Sequence, residues 1–125
     1  MCNRVKILYV DDEPLNLELF KLNLEHKYSI LTAESAFEGF EVIQNNPDIK
    51  LVISDLMMPS MNGLDFILKL RERYTNLSYF ILSGFDLSPE IIEAKQNNVI
   101  SKYLFKPFDI ALIEISINEA LTKKA

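Results

Sequence analysis

The chain has 125 residues, of which 49% are hydrophobic and 25% charged, with a formal net charge of −5. Size and balance are those of one soluble globular domain, and the few glycines and prolines exclude a long disordered tail. The acidic balance, with no basic run beyond Lys123-Lys124, leaves direct nucleic-acid binding without electrostatic support.

The lone cysteine, Cys2, cannot close an internal disulfide, which fits a reducing cytoplasm, and it reads as an exposed terminal residue rather than a reactive thiol. The first apolar run, Val5-Lys6-Ile7-Leu8-Tyr9-Val10, is too short for a signal peptide or membrane span and reads as a strand. Pro14 suits a helix's first turn. Leu15, Leu19 and Leu22 then recur at helical spacing, with Leu17, Phe20 and Leu24 beside them. Residues 28–33 form a second strand. Ser35, with Glu38 at the capping-box position, opens a second helix carrying Ala36, Phe40 and Ile43 on one face and ending at Asn45-Asn46-Pro47. The run Leu51-Val52-Ile53-Ser54 is a third strand, apolar enough to be buried on both faces. A loop over residues 55–62 follows, then a helix marked by Leu64, Ile67 and Leu70. A fourth strand spans 79–82, and Ser88-Pro89-Glu90 starts a fourth helix. A short fifth strand spans 102–105. The final helix runs over about residues 109–122, with Ile110, Ile113, Ile117 and Leu121 inward.

Strand and helix alternate five times. The pattern predicts a three-layer α/β/α, doubly wound, five-stranded parallel sheet. Right-handed crossovers leave few topologies, and the flavodoxin-like order 2-1-3-4-5 is the most economical. No linker divides the chain, so residues 1–125 are expected to be one domain with no effector after the last helix.

In such a sheet, ligands bind outside the carboxyl ends of the strands. Strand one is followed there by Asp11-Asp12-Glu13, strand three by Asp55, strand four by Ser83-Gly84 and strand five by Lys106-Pro107. Carboxylates, a hydroxyl and an ammonium gather on one edge. Crowded carboxylates raise one another's pKa unless a cation intervenes. An oxygen-only set favours Mg²⁺ over zinc or copper. The only histidine, His26, reads as a solvated residue at the end of the first helix. The chemistry that suits this set is phosphoryl transfer: metal and lysine neutralise phosphoryl oxygens, and a carboxylate attacks in line.

Four motifs carry a resemblance to the receiver domains of two-component response regulators over essentially the whole chain. They are Val10-Asp11-Asp12-Glu13-Pro14, the stretch from Asp55-Leu56-Met57-Met58-Pro59 through Ser60-Met61-Asn62-Gly63, Ser83-Gly84, and Tyr103-Leu104-Phe105-Lys106-Pro107-Phe108. The resemblance implies that Asp55 is the phosphoacceptor. It implies that Asp12 and Asp11, the latter directly or through water, hold Mg²⁺ together with Asp55 and the Met57 backbone carbonyl. Lys106 would pair with Asp55 and then with the phosphoryl group, while Ser83 and Tyr103 would be the switch hydroxyl and switch aromatic. The face made by the fourth helix, fifth strand and fifth helix would then change its partner preference, as a two-state element biased by local charge. The implied partners are a histidine kinase or histidine phosphotransfer protein and a downstream effector, with a homodimer through that face left open. Neither nucleic acid nor membrane is an implied partner. The protein would be a cytoplasmic signalling phosphoprotein that catalyses only its own aspartyl phosphorylation and dephosphorylation. Met57 and Phe85 cannot orient an attacking water, so dephosphorylation is expected to be slow; an acyl-phosphate half-life of seconds would count against this.

Plainer roles stand beside these. Asp11 to Glu13 can cap the first helix, Asp55 can end a strand, Ser83-Gly84 is an ordinary turn signal, and Tyr103 can simply pack. Lys106 precedes proline and is held extended; a cis bond there is possible but not inferable. Leu112 and Ile115 of the last helix either widen the core contact or form a partner face. Three rival functions remain. A haloacid-dehalogenase-like phosphatase would need a second Asp two residues after Asp11, where Glu13 stands. A flavin module would need a phosphate-binding loop, which Asp11-Asp12-Glu13 would repel. A silent receiver would have no use for a complete site.

Overall fold

A computed structural model describes residues 4–84 and 87–123, so Cys2, Phe85 and Lys124 lie outside the described residues. Ten elements alternate: β1 (Lys6–Val10), α1 (Pro14–Leu24), β2 (Ser29–Ala33), α2 (Ala36–Asn45), β3 (Ile49–Ser54), α3 (Gly63–Arg71), β4 (Ser78–Ser83), α4 (Pro89–Gln96), β5 (Lys102–Phe105) and α5 (Ile110–Lys123). All strand pairs are parallel and their order is β2-β1-β3-β4-β5. This is the doubly wound fold that the alternation predicts. Strand ends move by one or two residues, and Ser83 becomes the last residue of β4 instead of the residue after it.

Side chains alternate across the sheet. Ile7 and Tyr9 of β1, Leu51 and Ile53 of β3, Phe80 and Leu82 of β4 and Leu104 of β5 meet α1 and α5 in one core layer. Leu8, Val10, Val52, Tyr79 and Ile81 face α2, α3 and α4 in the other. Both faces are covered, which is why these strands read as continuous apolar runs. The helix starts are built locally. Ser35 Oγ accepts from Glu38 N at 3.1 Å, Asn62 Oδ1 from Asp65 N at 2.8 Å, and Ser88 Oγ from Ile91 N at 3.3 Å. The reciprocal half of the Ser35 capping box goes to Glu34 N, not Ser35 N: Glu38 Oε1 accepts from it at 2.5 Å.

In two helices the structure decides what spacing left open. In α1 the buried residues are Leu17, Phe20 and Leu24, whereas Leu15, Leu19 and Leu22 face outward, with Leu15 62% and Leu22 61% exposed. In α5, Ile113, Ile117 and Ala120 are buried, while Leu112 and Ile115 are exposed and do not widen the core contact. His26 is exposed, as expected of a helix-end residue, but it also faces Glu114 of α5 at 3.5 Å.

Candidate functional site

The register of the central strands places the site. Val10 pairs with Ser54, so the next residues, Asp11 and Asp55, leave adjacent strands side by side. Ser83 pairs with Phe105, and Lys106 N donates to Ser83 O at 2.9 Å, which brings the β5 exit to the same edge. Asp11, Asp55 and Lys106 continue the alternation of Tyr9, Ile53 and Leu104, the residues packed toward α1 and α5. Ser83 and Tyr103 fall on the opposite alternation, and Tyr103 packs against the α2–α4 core layer.

Asp11 is fully buried. Its Oδ2 accepts from Tyr9 Oη at 2.6 Å, Lys106 Nζ at 2.9 Å and Asn16 Nδ2 at 3.2 Å, and its Oδ1 accepts from Glu13 N at 3.0 Å. The Glu13 contact is a turn bond two residues ahead, and the N-cap residue of α1, Glu13, makes no side-chain capping bond. Asp55 is also buried but less well solvated by protein. Its Oδ1 accepts from Leu56 N at 3.0 Å and lies 3.4 Å from Lys106 Nζ. Burial, then the Asp11 charge, push the Asp55 pKa above the usual carboxylate value, against the pull of Lys106. Burial works against the Lys106 ammonium, but the Asp11 hydrogen bond and both carboxylate charges outweigh it and raise its pKa. One oxygen each from Asp11, Asp12 and Asp55 lies within 4.8 Å of the others, a spacing that one cation can bridge. Three carboxylates against one lysine leave a charge deficit that a hard, oxygen-loving divalent ion fits.

The loop over residues 55–62 is pinned from beneath. Gly63 N donates to Leu56 O at 2.7 Å, and Ser54 Oγ donates to Asp55 O at 2.8 Å. A Cβ on Gly63 would sit 2.1 Å from Asp55 O, so glycine is required there by close approach; no described glycine has positive φ. Met57 on this loop is 54% exposed, while Met58 is buried. The Lys106–Pro107 bond is cis. Tyr103 is partly buried and meets the exposed Phe105 edge-to-face at 5.1 Å, and Ser83 is fully buried.

Sequence reasoning treated Tyr9 only as a strand residue and did not single out Asn16 or Ser54. For Tyr9 a signal existed: two residues before Asp11 in a strand means the same face, and a tyrosine in an aliphatic run brings a hydroxyl to that face.

A profile of the response regulator receiver domain matches residues 7–118. The chain is 36% identical over 120 residues to the transcriptional regulatory protein GlrR of Escherichia coli, covering 95% of this chain and 27% of that one. It is 28% identical over 121 residues to a chemotaxis protein CheY homolog of Campylobacter jejuni, covering 94% and 92%. A crystal structure of a response regulator receiver domain protein from Clostridium thermocellum superposes with a TM-score of 0.89 at 32% identity, covering 96% of both chains. The chain spans 21–27% of the length of the first three curated relatives it matches.

Proposed function

The chain belongs to the response regulator receiver domain family of two-component signalling, and from that premise we propose that Asp55 is its phosphoacceptor, working with Mg²⁺ held by Asp11, Asp12, Asp55 and the Met57 backbone carbonyl. The observation that carries this is the placement of Asp55: buried, 3.4 Å from the Lys106 ammonium and clustered with two further carboxylates. Mg²⁺ bound there supplies positive charge against phosphoryl oxygens.

An Asp55 carboxylate oxygen attacks the phosphorus of a phosphohistidine in line. The N–P bond breaks, the imidazole leaves with the electron pair, and Asp55 carries an acyl phosphate. Lys106, held by Asp11 at 2.9 Å, is within reach to pair with a phosphoryl oxygen. Asp11 makes a poor alternative nucleophile, since four hydrogen bonds, three of them on Oδ2, draw charge from its carboxylate; this weighs against a phosphatase built on the first strand. Ser83 is the proposed switch hydroxyl and Tyr103 the switch aromatic, which would bias the α4–β5–α5 face toward a downstream effector or a second copy of the chain. The phosphodonor would be a histidine kinase or phosphotransfer protein, and the chain would catalyse only its own phosphorylation and dephosphorylation. Residues 1–125 would form this one domain. No helix among the described residues is long and apolar enough to cross a membrane, and a cytoplasmic location is proposed.

The test is intact mass after incubation with Mg²⁺ and a small phosphodonor, beside Asp55→Ala. A gain of one phosphoryl group that needs metal and disappears in the variant is expected. No gain with several donors, combined with no Mg²⁺ binding, would make this a silent receiver.

A further inference from the structure

The Asp11 carboxylate is held in a way that the proposed chemistry alone does not require. Each carboxylate oxygen has two lone pairs. Oδ2 receives three donors, from Tyr9, Lys106 and Asn16, one more than its lone pairs, so they share it; Oδ1 receives only Glu13 N and keeps one lone pair. The shortest of these contacts, at 2.6 Å, comes from Tyr9. Burying a hydroxyl in this apolar core layer is costly unless it is hydrogen-bonded, so the contact is what makes tyrosine tolerable in this strand.

The Tyr9 ring is fixed in turn. It stacks on Phe20 of α1 at 4.3 Å and meets Phe108 edge-on at 6.1 Å, and Phe20 and Phe108 also touch edge-on. Phe108 lies two residues beyond Lys106. One aromatic cluster therefore anchors both partners of the Asp11–Lys106 pair. Burial first, then the Asp11 charge, push the Tyr9 pKa upward.

We infer that Tyr9 is a positioning residue for the cation site, acting through Asp11: its hydroxyl commits Oδ2 to the interior and leaves Oδ1 for the metal. The inference rests on the proposed Mg²⁺ reading. Outer-shell donors of this kind fix the direction of a ligand, and losing one weakens metal affinity.

The test titrates Mg²⁺ into wild type, Tyr9→Phe and Tyr28→Phe, by calorimetry and by tyrosine difference absorption. Tyr28, whose hydroxyl lies 3.4 Å from Asn118, is the remote control. With five tyrosines and no tryptophan, the signal is tyrosine alone. Mg²⁺ should perturb the spectrum of wild type and Tyr28→Phe but not of Tyr9→Phe, and Tyr9→Phe should bind about tenfold more weakly. A merely structural role would lower the melting point without any Mg²⁺-dependent tyrosine signal. Unchanged affinity in Tyr9→Phe, or a Mg²⁺ response that survives in it, would overturn the inference. Should Tyr9→Phe fail to fold, the wild-type spectrum decides: no tyrosine response to bound Mg²⁺ overturns it equally. Wild type that binds no Mg²⁺ would instead sink the metal reading itself.

Discussion

The β1–α1 turn and the 55–62 loop each place a buried aspartate at the end of neighbouring strands, yet they treat it oppositely. Asp11 receives four hydrogen bonds, from two side chains of its own region, a backbone amide and Lys106. Asp55 has one backbone donor and a longer approach to the same lysine. A carboxylate held by four donors has a fixed direction, with one lone pair left on its Oδ1. One that is desolvated and sparsely bonded keeps lone pairs free, as the proposed nucleophilic role requires, and its raised pKa records the cost of burial. Two identical side chains thus differ in freedom according to the donors their surroundings supply.

Removing the shared cation is the largest way to break this contrast. Lys106→Ala is expected to slow phosphorylation by about a hundredfold, since one preorganised charge on the reacting group is lost. It should also cost about 3 kcal/mol of stability, the low end for breaking a buried pair, because Lys106 keeps 21% of its side chain exposed. Rates by intact mass and denaturant unfolding would check both. Equal losses in Lys106→Arg would argue that lysine geometry, not charge, matters.

Crowding the sparse side comes next. Gly63→Ala drives a Cβ to within 2.1 Å of Asp55 O. The loop must shift, at about 2–3 kcal/mol, and Asp55 moves with it. Urea unfolding with wild-type stability would show that the loop yields freely and does not fix Asp55.

The smallest effect sharpens the contrast by pH. The folded-state pKa of Asp55 lies above that of an exposed aspartate, so the folded protein binds this proton more tightly than the unfolded chain. The charged form therefore costs stability at neutral pH, and the cost fades as pH falls through the raised pKa. In chelator, Asp55→Asn should melt a few degrees above wild type near neutrality, with the gap closing on acidification. A gap independent of pH would mean that the carboxylate is not strained.

Much of this was legible in the residues. The strand–helix alternation, the serine caps at Ser35 and Ser88, and the polar residues after strands one, three and five are local signals, and local chemistry governs them. The facing of α1 was not legible. Leu15-Leu19-Leu22 and Leu17-Phe20-Leu24 are both spaced by three and four residues, so periodicity cannot say which stripe meets the sheet. The packing of α1 against the sheet and α5 in one core layer settles it.

The sequence by itself determined which chemical groups reach the carboxyl edge of the sheet, because strand order and alternation follow from pattern. Only the tertiary structure decided how those groups share hydrogen bonds. Whether Asp11 or Asp55 receives Tyr9, Asn16 and the nearer contact to Lys106 depends on distances of tenths of an ångström across three separate segments. No one-dimensional pattern encodes these, since packing of Tyr9 against Phe20 and Phe108 sets them.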